Sequence, residues 1–208
     1  MNQTLATLLV SACLTAQTGV VHAATATAIF AGGCFWSMEK AFESLPGVRE
    51  AESGYTGGRT KNPTYTEVSN GHTGHAEAVR VIYDPTQVSY AALVEHFWRQ
   101  IDPTVKNRQF CDIGTQYRSA IYWQNDDERQ VVEASHLALV KSGRFKVIHT
   151  ERAPASPFYL AEDEHQDFYK KHSVRYHHYR LTCGSDAQIR RLWKEGRTEP
   201  VEVLAGTV

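Results

Sequence analysis

The chain has 208 residues, 42% of them apolar and 22% charged, the balance of an ordinary globular domain able to bury a substantial core. Its 22 basic and 23 acidic residues leave a formal net charge of -1, so electrostatics give no case for nucleic acid. There is no phosphate-binding glycine loop with a following Lys, and no heptad or longer repeat.

Residues 1–23 read as a secretory signal: an apolar run over 5–14, then Val21-His22-Ala23, which resembles a small-residue cleavage site. The run is too short for a permanent membrane span. The segment lacks Lys and Arg before that run, and Val10-Ser11-Ala12-Cys13 resembles a lipobox, so a lipid anchor at Cys13 is the alternative. The expectation is export to a bacterial periplasm, soluble or lipid-anchored. Residues 24–208 contain no linker and read as one domain with a C-terminal tail. Cys34, Cys111 and Cys183 remain in it, too few for a disulfide scaffold and odd in number, which points to a reactive thiol.

Residues 25–31 are short, β-prone and apolar, a core strand broken by Gly32-Gly33. Cys34 opens a helical pattern to Leu45, with Met38, Phe42 and Leu45 on one face, ended by Pro46-Gly47. A strand is expected over 48–55, then a long loop from Gly57-Gly58 to Tyr65. Residues 77–84 alternate, with Glu77, Val79, Val81 and Tyr83 on one face. Ser89 caps a helix in which Leu93, Phe97 and Ile101 recur. A polar loop over 102–118 leads to a strand over 119–123 and a helix over 126–141, closed by Gly143. A strand is expected over 145–149, and helices over 161–172 and 185–195. Strands alternating with helices give an α/β sandwich, its sheet covered chiefly on one side.

Cys34 sits where a strand ends in two glycines and a helix begins. The free amides and positive dipole end of that helix favour a thiolate, and the glycines leave the approach to sulfur free of a Cβ. Phe35 and Trp36 follow directly and either wall an apolar cup or pack in the core. Glu77 shares its strand face with Val79 and Val81, so burial should raise its pKa and keep a proton available for general-acid work. His72, His75 and Glu77 have a metal-like spacing, but no further Cys or Asp completes a ligand set, so no metal is expected. His165, His172, His177 and His178 are read as parts of a solvated helix and its exit.

Gly33-Cys34-Phe35-Trp36 resembles the signature of A-type peptide methionine sulfoxide reductases. The resemblance continues through Gly54-Tyr55-Thr56-Gly57-Gly58, Asn62-Pro63-Thr64-Tyr65, Gly74-His75-Ala76-Glu77 and Asp84-Pro85. It extends over Phe97-Trp98, Asp102-Pro103-Thr104 and the segment from Gly114 to Ile121, and closes with Phe158-Tyr159, Ala161-Glu162 and His165-Gln166. It implies a two-layer α/β sandwich around a mixed sheet with a ferredoxin-like core; the chain is expected to act as a monomer.

By that resemblance Cys34 is the nucleophile and Glu77 the acid protonating the sulfoxide oxygen. Tyr65 and Tyr117 donate to that oxygen, Phe35 and Trp36 hold the substrate S-methyl group, and Asp112 places substrate or water. The implied reaction reduces methionine S-sulfoxide, free or in proteins, through a Cys34 sulfenic acid and an intramolecular disulfide. Electrons come from a thioredoxin-like dithiol, with no bound cofactor. Cys183 occupies the usual place of a recycling cysteine. Phe110-Cys111 departs from the Gly-Asn common before the Asp, which makes Cys111 a second candidate, and a relay through both stays open. Two rival readings are a peroxidase or acyl-transfer enzyme pairing Cys34 with a histidine, and a non-catalytic module binding methionine-rich segments.

Overall fold

The computed structural model describes residues 24–194; the expected signal over 1–23, with Cys13, lies outside the described residues. Strand β1 (Ala26–Gly32) runs into helix α1 (Phe35–Glu43), then β2 (Val48–Thr56). A short helix α2 (Tyr65–Ser69) precedes β3 (Ala76–Tyr83) and α3 (Tyr90–Trp98). A two-residue pair, β4 (Arg108–Gln109) and β5 (Asp112–Ile113), and a 3-10 turn at Thr115–Tyr117 lead to β6 (Ser119–Trp123). Then follow α4 (Asp126–Lys141), β7 (Glu151–Pro154), β8 (Tyr159–Leu160), α5 (Phe168–Lys171), α6 (Ser173–Cys183) and α7 (Ser185–Trp193).

Six strands form one sheet in the order β7-β6-β1-β3-β2-β8. β6 and β7 pair in parallel and the other neighbours are antiparallel, so the fold is mixed α/β with a mixed sheet. Alternation sorts the side chains. Ala28, Phe30, Val79, Val81 and Ile121 face the helices, while Ile29, Ala31, Ala76, Ala78 and Ala120 line the opposite face beneath Ala153, Ala155 and Phe158. Phe35, Met38, Glu39 and Phe42 recur at helical spacing on α1 and are buried against the sheet. Phe30 stacks on Phe42 and Phe97 at 4.7 and 5.2 Å, each ring contributing about 1.5–3 kcal/mol by burial. The expected caps form: Ser89 Oγ accepts from Ala92 N, and α4 ends before Gly143 in the left-handed region, φ 64°.

The departures have local causes. Within the expected 57–65 loop and beyond, Thr64 and Glu67 make a reciprocal capping box that starts α2, a helix too short to show apolar periodicity. Residues 145–149 form no strand; Phe145 turns onto Trp193, ring centroids 5.1 Å apart, and Val147 is exposed. The parallel edge strand is β7 instead. The helix expected over 161–172 begins only at Phe168, and α6 forms over a polar stretch without a clear apolar stripe. The C-terminal helix is docked: Gln188 donates to Asp102 Oδ2 at 2.7 Å, and the Trp193 indole to Ile101 O at 3.0 Å.

Candidate active site

Cys34 is the N-terminal boundary residue of α1, and its carbonyl accepts the first helical bonds, from Ser37 and Met38 N. Gly33 before it has φ 88°, a conformation that glycine adopts freely. The space its missing Cβ leaves is taken by Gln109, whose Cβ would lie 2.6 Å from a Cβ placed there. The glycine thus admits a protein side chain rather than a ligand. Gln109 also bonds Asp102 N and O, fixing the 102–113 segment beside the start of α1 and carrying Cys111 and Asp112 toward Cys34.

Glu77 points into the helix-covered layer with Val79 and Val81, as alternation requires, and is 2% exposed. The Phe35 backbone N–H donates to its Oε2 at 3.1 Å. Burial outweighs that bond, and the nearby Asp112 adds to it, so the Glu77 pKa is pushed up to about 8 and the carboxyl carries a proton at neutral pH.

Cys34 is buried and is the free cysteine among the described residues. Its thiol pKa is raised well above the ordinary value, first by burial and then by the neighbouring Glu77 and Asp112 carboxyls. The thiolate expected from the helix start is therefore not the resting form. Hydrogen bonds from the Trp36 backbone and Tyr179 act the other way and are outweighed. A dipole of about half a charge at a helix end does not offset desolvation beside two carboxyls.

Phe35, Tyr65 and His165 form one aromatic group with Trp36: Phe35 lies 6.4 Å from Trp36 and 6.3 Å from Tyr65, and His165 lies 4.2 Å from Tyr65. Phe35 is buried while Trp36 and Tyr65 are half-buried, so the group is a cup open on one side. His165 is not solvated. It is 5% exposed, and its Nδ1 accepts from the Trp36 indole at 3.2 Å, which places the ring proton on Nε2. Glu162 accepts from Tyr65 N at 2.7 Å and from the Tyr55 hydroxyl at 2.8 Å, anchoring the Tyr65 side of the cup. His172, His177 and His178 are exposed as expected.

Tyr65 and Tyr117 are half-buried, with Cys34, Glu77 and Asp112 in their neighbourhood. Burial, with Glu77 next, pushes the Tyr65 pKa up to about 12 and raises that of Tyr117, so both hydroxyls are donors at neutral pH. His75 is spent on structure: Nδ1 accepts from Gly58 N at 3.1 Å and Nε2 meets Thr60 O at 2.7 Å, leaving neither nitrogen for a metal.

Cys111 and Cys183 are joined in a disulfide across 72 residues, so the two candidate recycling cysteines are partners of each other. Phe110 before Cys111 has φ 53°, a strained value for an aromatic residue, and its carbonyl accepts from Arg108 at 2.7 Å. Tyr179, one turn before Cys183 on α6, donates to Asp112 Oδ2 at 2.5 Å. Tyr179 and His165 escape the sequence reading. Tyr179 lies on a helix without an apolar stripe, and the signal for His165 was its place in the His165-Gln166 motif.

A mixed α/β fold that buries one free thiol beside a proton-bearing carboxyl, and closes a cysteine pair around the neighbouring Asp112, defines an oxidoreductase of the thiol class. Residues 26–197 match the family model described as peptide methionine sulfoxide reductase. The peptide methionine sulfoxide reductase MsrA of Listeria innocua is 51% identical over 168 residues, 80% of this chain and 95% of that protein. The MsrA of Bacillus licheniformis is 49% identical over 167 residues, 80% of this chain and 92% of that one. Methionine sulfoxide reductase A of Corynebacterium diphtheriae superposes with a TM-score of 0.64 at 42% identity, over 71% of this chain and 74% of its own. The chain belongs to the peptide methionine sulfoxide reductase MsrA family and is an enzyme that reduces methionine sulfoxide.

Proposed function

We propose that the enzyme reduces the S epimer of methionine sulfoxide, free or in oxidised proteins, with Cys34 as nucleophile and Glu77 as acid. The observation that carries this reading is the burial of one free thiol beside a carboxyl with a pKa of about 8, at the wall of an aromatic cup. Phe35 and Trp36 take the S-methyl group, at about 0.8 kcal/mol for the methyl and roughly 0.3–1.5 kcal/mol more for sulfur against a ring. The Tyr65 and Tyr117 hydroxyls donate to the sulfoxide oxygen. They supply discrimination, since reduced methionine would leave them unpaired. Asp112 helps to place substrate or water.

Cys34 Sγ attacks the sulfoxide sulfur as Glu77 passes its proton to the oxygen. The S–S bond formed by that attack and the S–O bond then break as the hydroxyl passes from the substrate sulfur to Cys34 Sγ. Methionine leaves, Cys34 becomes a sulfenic acid, and the thiol proton restores Glu77. The thiol is oxidised by two electrons and the sulfoxide reduced by two. A second thiol, for which Cys183 is favoured over Cys111, condenses with the sulfenic acid and releases water. The third thiol then exchanges in, closing Cys111–Cys183 and freeing Cys34. The pairing of Cys111 with Cys183 beside an unbonded Cys34 supports this relay. A thioredoxin-like dithiol returns the pair to thiols. The working enzyme is monomeric and repairs proteins outside the cytoplasm, on the reading of residues 1–23 as an export signal with 24–208 as its single domain. The order β6-β1-β3-β2, antiparallel throughout, supports a ferredoxin-like core in a two-layer sandwich.

The test is consumption of each methionine sulfoxide epimer with dithiothreitol, by wild type and Cys34→Ser. Loss of the S epimer alone, abolished in Cys34→Ser, is the expected result. A folded, reduced wild type that leaves the S epimer untouched, or an active Cys34→Ser, overturns the reading.

A further inference from the structure

Tyr179 and Cys183 lie four residues apart on α6, so one helix face presents a phenol and a sulfur together. The Tyr179 hydroxyl donates to Asp112 Oδ2 at 2.5 Å and lies beside the Cys34 thiol. Its ring meets Trp36 edge-on, centroids 6.1 Å apart. Cys183 is bonded to Cys111, the residue just before Asp112. The seating of α6 that lets Cys183 reach Cys111 therefore also sets the Tyr179 hydroxyl against Cys34.

We propose that Tyr179 is a catalytic residue of the recycling step, its hydroxyl donating to Cys34 Sγ as that sulfur is expelled. The inference rests on the relay proposed above and holds for either order of its thiols. Cys34 is bonded to one of Cys111 and Cys183, and the thiolate of the other attacks that cysteine's sulfur. The Cys111–Cys183 bond forms, the bond to Cys34 breaks, and the electron pair leaves on Cys34 Sγ. The oxidation first held by Cys34 passes to the pair, with no other oxidant or reductant.

A thiolate leaves faster when its charge is stabilised. Cys34 is poorly placed for this, because burial, Glu77 and Asp112 all disfavour its negative charge. The Trp36 backbone and the Tyr179 side chain are the groups that favour it, and Tyr179 is the one supplied by α6. Burial and the neighbouring Cys34 and Asp112 hold the phenol far above its ordinary pKa, so it acts as a donor and not as a base. It carries one hydrogen. With Cys34 neutral, that hydrogen goes to Asp112, and as charge develops on sulfur it turns to Cys34 Sγ.

Reduced wild type and Tyr179→Phe are mixed with one equivalent of methionine sulfoxide and quenched over time, with methionine and each disulfide mapped. In Tyr179→Phe the mixed disulfide of Cys34 accumulates. The rate of Cys111–Cys183 closure relative to methionine release falls by at least about tenfold, the loss expected for a hydrogen bond to a charged group. An unchanged ratio, or equal slowing of both steps, overturns the proposal. A second measurement needs no turnover: the pH midpoint of Cys34 alkylation in the disulfide-closed enzyme rises in Tyr179→Phe, and an unmoved midpoint overturns it. A wild type that never closes Cys111–Cys183 removes the relay and this proposal with it. Normal closure in wild type with an unaltered ratio in Tyr179→Phe removes the role of Tyr179 alone.

Discussion

The backbone N–H of Phe35 donates to the carboxyl of Glu77 at 3.1 Å across 42 residues of sequence, tying the start of α1 to the middle of the sheet. The residue after the thiol is thereby fixed to the group that carries the proton. The bond satisfies a free amide at the helix start and orients Glu77 without drawing its proton away, because burial dominates the carboxyl's pKa.

Glu77→Gln separates orientation from proton supply. The amide oxygen still accepts from Phe35, so the fold should hold, but the side chain has no acidic proton to give. Methionine formation in a single turnover should fall on the order of 10²–10⁴-fold, the usual range for loss of a general acid. A loss below about threefold would remove Glu77 from the proton-donating role.

The raised Glu77 pKa sets two pH dependences. The acid form is present below about 8, so single-turnover methionine formation should fall as pH rises through about 8, and that limb should be missing from Glu77→Gln. For stability, the folded chain holds a proton that the unfolded chain releases at its ordinary value of 4.5. This contribution is present in full below the unfolded value and is lost as pH rises through the folded one. Urea midpoints of wild type should therefore decline relative to Glu77→Gln on going from pH ~5 to ~9. A constant difference across that range would contradict the buried, protonated carboxyl.

His165 fixes the indole of Trp36 through its Nδ1. His165→Phe keeps the ring against Tyr65 and Phe35 but leaves the indole N–H without its acceptor, at a cost of about 1–3 kcal/mol. The expected signature is a KM for methionine sulfoxide raised more than kcat is lowered, read from steady-state kinetics with dithiothreitol. A kcat loss with unchanged KM would place His165 in the chemistry instead.

Gly33→Ala puts a Cβ into the side chain of Gln109 and demands φ 88° of a residue that resists it. The left-handed conformation alone costs about 1–3 kcal/mol. Because Gln109 fixes the segment bearing Cys111 and Asp112, disulfide closure after a turnover should slow along with a lowered urea midpoint. Unchanged stability would show that the contact relaxes freely.

Much of the site is written in short-range patterns. Gly33-Cys34-Phe35-Trp36 marks a strand-to-helix junction, and the alternation of 77–84 fixes which face Glu77 shares with Val79 and Val81. Both follow from backbone periodicity, which a local stretch of sequence sets by itself. The capping residue Ser89 and the span of α4 are legible for the same reason. What lies across from those faces is not local. The burial of His165, the pairing of Cys111 with Cys183 and the reach of Tyr179 to Cys34 and Asp112 depend on where α6 and the 102–113 segment settle. The protonation of Cys34 shows the division most directly: the helix start argues for a thiolate, yet burial beside Glu77 and Asp112 keeps the thiol. A helix end is read from its own residues, whereas desolvation and the charges around a sulfur come from residues that only the tertiary fold brings together.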